Sequence, residues 1–121
     1  MRFTFAIAAS VLGVIAIAVV NLSRAVDLPN LDVFAQCLSS KGAVMYGANW
    51  CPHCKNEKRA FGESFRLISY VECPADPQRC LAAGITGYPT WIFSDGTRFT
   101  GEQGIEKLSE ASGCSLPRGG Q

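Results

Sequence analysis

Residues 43–58 read AVMYGANWCPHCKNEK. Ala43 to Ala48 is a short apolar run with a β-branched residue and an aromatic, the composition of a buried strand. It leads directly into Cys51 and Cys54, which bracket Pro52 and His53, the chain's only histidine. Pro52 sits where a first-turn proline is tolerated. Beyond it, residues 52–68 read as one helix with Phe61, Phe65 and Ile68 along a single face. Lys55, Glu57, Lys58 and Arg59 are expected mostly on the wet side, and Gly62 marks a bend. The order is therefore strand, C-x-x-C, helix.

That order carries chemistry. It places Cys51 at a helix N-terminus, where unpaired N–H groups and the macrodipole stabilise a thiolate, the nucleophile of disulfide exchange. Cys54 lies one turn further in and is shielded, so Cys51 is read as the attacking sulfur and Cys54 as the resolving one. An imidazole at His53 can hydrogen-bond or ion-pair with the Cys51 thiolate. This would stabilise the reduced form and make the disulfide the stronger oxidant. The bland reading of His53 is an exposed helix-start residue. The rival chemistry is zinc, on Cys51, Cys54, Cys73 and Cys80. The spacing of the second pair is too wide for a zinc ribbon and knuckle glycines are missing.

Outward from the dithiol, residues 31–42 predict a short helix with Leu31, Phe34, Cys37 and Leu38 inside and Gly42 as its stop. Residues 69–73 predict a strand, 78–85 a short helix, and 87–93 a strand that begins with a proline. Residues 94–96 (SDG) form a hairpin turn, 97–101 the return strand, and 102–113 a last helix with Ile105, Leu108 and Ala111 inward. The element order α-β-α-β-α-β-β-α permits a βαβ unit followed by a ββα unit. Both would share one four-stranded mixed sheet with helices on both faces, an α/β class.

The N-terminus is different in kind. Phe3 to Ser23 carries no charge, with Arg2 before it and Arg24 after it. At ~1.5 Å per residue the run reaches about 30 Å, enough to cross a bilayer. Residues 1–25 are read as a signal anchor or a signal peptide. Small residues at Ser23 and Ala25 suit cleavage, whereas the length of the run and Arg24 suit retention. Either delivers the rest outside the cytoplasm. Residues 26–30 form a linker, 31–115 the domain, and 116–121 a flexible tail.

The net charge of +1, with charged residues at 17%, lacks the clustered basic face that nucleic acid would require. Six cysteines, all beyond the apolar run, suggest disulfides in an oxidising compartment but leave their pairing open.

The phrases NWCPHC and, downstream, GYPT resemble the thioredoxin superfamily. The CPHC tetrapeptide is similar to that of the periplasmic oxidase DsbA. MYGANWCPHC, FGESF, YVEC, GYPTWIF and GC resemble the small thioredoxin-like domain associated with vitamin K epoxide reductase homologues. The resemblance implies a thioredoxin-like fold over residues 31–115 and a cis peptide before Pro89. Trp50, Pro52, Tyr88, Pro89 and Thr90 would line the active-site loop and the substrate site, with the Thr90 backbone pairing a bound strand. It also implies disulfides Cys73–Cys80 and, at the pole opposite the active site, Cys37–Cys114.

The implied activity is membrane-tethered, extracytoplasmic thiol–disulfide exchange. It would oxidise exported protein thiols, with no metal and no cofactor beyond the Cys51–Cys54 disulfide. The implied recycling partner is a quinone-linked membrane protein of the epoxide-reductase type. Alternatives are a reductase or isomerase, for example in cytochrome maturation, and a non-catalytic or zinc-binding module. One departure matters: thioredoxins carry a buried acid where this chain has Met45, which disfavours efficient reductase behaviour.

Overall fold

The computed structural model describes residues 30–118. The expected anchor or signal segment (1–25), the linker up to residue 29 and the end of the tail lie outside the described residues. Among the described residues, no helix is long and apolar enough to cross a membrane.

The chain runs α1 (Asp32–Ser40), β1 (Val44–Gly47), α2 (Pro52–Phe61), a 3-10 segment (Gly62–Leu67), β2 (Ser69–Glu72), α3 (Pro77–Ala82), β3 (Thr90–Ile92), β4 (Arg98–Thr100) and α4 (Gly104–Ser112). The four strands form one sheet in the order β2-β1-β3-β4. β1 and β2 are parallel, while the β1–β3 and β3–β4 pairs are antiparallel. This is the βαβ plus ββα arrangement read from the element order.

Side-chain alternation along β1 assigns the faces. Met45 packs in a core with Phe34 and Leu38 of α1, Phe61 of α2, Trp91 of β3 and Leu108 of α4. Val44 and Tyr46 point the other way, toward Val71, Cys73 and Cys80. So α1, α2 and α4 cover one face of the sheet and α3 the other.

Several boundaries differ from the sequence reading. The helix expected over 52–68 stops at Phe61, because Gly62 takes φ +55°, a left-handed value that strains any residue with a Cβ. The chain then tightens into the 3-10 segment, which still points Phe65 at the core. The strand expected over 87–93 begins only at Thr90, since Pro89 has no N–H for a ladder. In α4, Ala111 is exposed and Ser112 takes the inward place, its hydroxyl donating to the Leu108 carbonyl (2.6 Å).

The largest correction is Glu57. Expected on the wet side, it is fully buried. Its Oε1 accepts the Gly104 N–H (2.8 Å), and its Oε2 accepts Gln103 N–H (2.7 Å) and Trp91 Nε1–H (3.3 Å). A helix start leaves N–H groups without partners, and a carboxylate there also meets the positive end of the dipole. Glu57 thus caps α4 from another helix and ties α2 to the sheet through Trp91.

Replacing Glu57 by Ala would leave these donors unpaired, with an expected stability loss of about 3 kcal/mol. Equilibrium urea unfolding measures it, and a loss within experimental error of zero would contradict the capping role.

Candidate active site

Sheet register assembles the site. Tyr46 lies opposite Thr90, so the loop leaving β1 and the loop entering β3 meet at one pole. The first carries Asn49, Trp50 and Cys51; the second carries Gly87, Tyr88 and Pro89. The Tyr88–Pro89 peptide is cis, and Pro89 is fully buried. The Cys51 thiol faces the Tyr88 carbonyl at 3.7 Å.

Cys51 is the N-cap residue of α2, and its sulfur accepts the Cys54 N–H at 3.3 Å. Negative charge on that sulfur would therefore meet a helix N-terminus. Cys51 is 5% exposed and Cys54 is fully buried. Burial, ahead of the contact with Cys51, pushes the Cys54 thiol up to about 12. The resolving sulfur of the sequence reading is thus the more deeply buried of the two, and its burial opposes its ionisation.

The other candidates fall into place unevenly. Trp50 is 63% exposed and meets Tyr88 edge-on, with ring centroids 6.0 Å apart. Together they offer an aromatic flank beside Cys51. Pro52 is exposed at the first turn of α2. Thr90 is buried, its hydroxyl donating to the Gly87 carbonyl (2.7 Å). Strands flank Thr90 on both sides, opposite Tyr46 and Thr100, so a free backbone edge at Thr90 is corrected. The backbone facing the dithiol is that of Tyr88.

His53 does not turn to Cys51. Its Nδ1 meets Glu102 Oε2 at 3.1 Å, where Asn56 also donates (3.2 Å). That pairing holds the Glu102 carboxyl below its ordinary range, with His53 the first cause.

The remaining cysteines are paired, Cys37 with Cys114 and Cys73 with Cys80. Cys37 lies near the end of α1, which leads into the start of β1, so its bridge sits at the pole away from the dithiol. Cys73 follows β2 at the active pole. Among the described residues, no cluster of three or more His, Cys, Asp or Glu side chains is placed to hold a metal.

Sequence reading missed the polar groups packed behind Cys54. Gly47 explains how closely they approach. A Cβ there would lie 2.9 Å from Cys54 Sγ and 3.4 Å from the Tyr70 hydroxyl. That hydroxyl donates to Glu72 Oε2 (2.5 Å), and the other Glu72 oxygen accepts the Asn49 N–H (2.8 Å). The Lys58 ammonium lies 3.9 Å from the Tyr70 ring centroid. A period of two along β2 puts Tyr70 and Glu72 on one face, and that was the signal available.

No family model matches the chain. The strand order and the dithiol at the end of β1 make an α/β fold of the thioredoxin-like kind, and the chain is similar to several known proteins. The thiol-disulfide oxidoreductase LTO1 of Arabidopsis thaliana is 40% identical over 97 residues, covering 73% of this chain and 26% of that protein. Protein disulfide isomerase-like 2-1 of Oryza sativa is 35% identical over 81 residues, covering 55% and 22%. The probable protein disulfide-isomerase A6 of Medicago sativa is 35% identical over 85 residues, covering 58% and 23%. The chain thus spans about a quarter of the length of these relatives. Among solved structures, the Fasciola hepatica thioredoxin matches with a TM-score of 0.46 at 25% identity, covering 59% of this chain and 76% of that one. The curated relatives are named as a thiol-disulfide oxidoreductase and as protein disulfide isomerases.

A methyl group at Gly47 must displace a buried sulfur or a tyrosine held by its own hydrogen bond. Gly47→Ala is expected to cost about 1–3 kcal/mol, as overpacked cores do, and to slow thiol exchange. Urea unfolding together with stopped-flow exchange would detect both, and wild-type values in both would contradict the packing described.

Proposed function

We propose that the chain is a membrane-tethered, extracytoplasmic thiol–disulfide oxidoreductase that oxidises the thiols of exported proteins. The observation that carries the exchange chemistry is Cys51 at the head of α2, facing the Tyr88 carbonyl, with Cys54 buried behind it. In the oxidising direction a substrate thiolate attacks Cys51 of the Cys51–Cys54 disulfide. The Cys51–Cys54 bond breaks, its electron pair goes to Cys54, and a mixed disulfide forms at Cys51. A second substrate thiolate then attacks the substrate sulfur and releases Cys51. Two electrons have passed to the dithiol.

The extracytoplasmic setting is supported by two further disulfides, which persist in oxidising compartments, and by the uncharged run Phe3–Ser23. Reoxidation is assigned to a quinone-linked membrane partner of the epoxide-reductase type, on the resemblance of the CPHC, YVEC and GYPTWIF phrases. The redox group is the Cys51–Cys54 pair itself. Trp50 and Tyr88 would receive the substrate chain.

A second reading, disulfide isomerase, is favoured by the names of the Oryza and Medicago relatives. The oxidising direction leans on the helix N-terminus beneath Cys51, which stabilises the reduced state. It leans less on His53, whose imidazole is engaged by Glu102.

Two measurements test these readings. Cys54→Ala in cells should accumulate dithiothreitol-sensitive mixed disulfides through Cys51; if none form, exchange is not the function and a binding module takes its place. The reduction potential of the purified protein is expected well above that of thioredoxin, about −270 mV. A value at or below it would reverse the proposed direction.

A further inference from the structure

Exchange at Cys51 requires the Cys54 sulfur to enter and leave the active disulfide as a thiolate. Yet Cys54 is fully buried, and burial pushes its thiol up to about 12. At neutral pH almost none of it is ionised, so a proton must be moved in each turnover. Met45 of β1 is apolar and offers no acceptor. The titratable groups facing Cys54 are Cys51 at the head of α2, Lys58 one turn along the same helix, and Tyr70 of β2. Glu57, also on α2, turns away to the start of α4.

We propose that Tyr70, Glu72 and Lys58 form a proton relay for Cys54, resting on the exchange reading above. The Cys54 S–H passes its proton to the Tyr70 oxygen, both groups lying close against Gly47. In the same step the Tyr70 hydroxyl passes its own proton to Glu72 Oε2, with which it is already hydrogen-bonded. The Lys58 ammonium, lying over the Tyr70 ring, supplies positive charge to the sulfur left behind.

Resolution of a mixed disulfide follows. The Cys54 thiolate attacks Cys51 Sγ, the Cys51–substrate bond breaks, and the substrate leaves with the electron pair. Glu72 then carries the proton and is only half-buried, which lets it discharge to solvent. In the oxidising direction the same groups run in reverse, and the departing Cys54 thiolate takes its proton from Glu72 through Tyr70.

Two features of the cluster fit this role. Burial, followed by the Glu72 hydrogen bond, raises the Tyr70 phenol far above its ordinary value. Tyr70 therefore hands protons on in a concerted step and is never a free tyrosinate. The second Glu72 oxygen holds the Asn49 N–H, which couples the relay to the loop that carries Cys51.

The test uses the reduced full-length chain and 5,5′-dithiobis(2-nitrobenzoate) in stopped flow. The first thionitrobenzoate released reports attack by Cys51, and the second reports resolution by Cys54. Thionitrobenzoate leaves without needing a proton, so the second phase isolates deprotonation of Cys54. Tyr70→Phe and Glu72→Gln should slow the second phase at pH 7 by about tenfold or more. They should also make its rate climb steeply with pH, while the first phase changes by less than about twofold. Lys58→Met should slow the second phase without steepening its pH profile.

A second phase unchanged in rate and pH profile in both Tyr70→Phe and Glu72→Gln would overturn the relay. Equal slowing of both phases would do the same and would assign the cluster a packing role. No thionitrobenzoate release from the wild-type chain would overturn the exchange reading itself.

Discussion

Tyr46 lies opposite Thr90 across the antiparallel pair of β1 and β3, and the active pole depends on that register. β1 runs into the dithiol loop, and β3 starts just after Pro89. Because the two strands run in opposite senses, the exit of one and the entrance of the other share an end of the sheet. A slip of one residue would turn every side chain of one strand to the opposite face. Met45 or Trp91 would leave the core under α2, and the Tyr88 carbonyl would lose its place beside Cys51. Chemistry at Cys51 is thus a consequence of strand pairing before it is one of thiol reactivity.

The same face of the sheet explains the internal polar groups. Gly47, Met45 and Tyr70 all look toward α2, and α2 presents Cys54 and Glu57 to them or beside them. A helix packed this closely leaves no room for a charge without a partner. Glu57 meets this condition with the first N–H groups of α4, and Tyr70 meets it with Glu72. One carboxylate is structural and the other is placed where protons can reach solvent. The difference lies in burial: Glu57 is sealed, while Glu72 sits at the edge where β2 ends.

Much of this was legible in the sequence. A strand, C-x-x-C and helix in succession set the order of elements around the dithiol, whereas the faces of β1 emerged only from its packing. Resemblance supplied Pro89 and both outer cysteine pairs, which periodicity alone could not. The helical reading failed at Glu57 because a charge on an otherwise wet run looks solvated; its partners are backbone N–H groups some forty-six residues away, which no local pattern records. It failed at His53 for a similar reason, since Glu102 comes from a distant loop. Gly62 was read as a bend and proved to be a stop, a difference of one backbone angle. Tyr70 and Glu72 were the more readable omission: two polar-headed residues at alternate positions beside the dithiol strand already shared a face.

Six cysteines in a domain this small pose a question of selectivity, and access alone does not answer it. Cys51 and Cys80 are each 5% exposed, so an incoming thiolate finds them equally covered. What separates them is where charge can be held. Cys80 lies inside α3, where its backbone N–H is already spent on the Asp76 carbonyl (3.4 Å), and its sulfur is closed in a bridge to Cys73. Cys51 precedes α2, so the unspent N–H groups of that helix point toward its sulfur, and one of them, from Cys54, reaches it. A sulfur leaving a disulfide needs a site that tolerates negative charge. Only the Cys51–Cys54 pair, among the described cysteines, has a helix N-terminus under one sulfur and a lysine and tyrosine near the other. The bridge from Cys73 packs against Tyr88 and so supports the loop that faces Cys51, without sharing its chemistry.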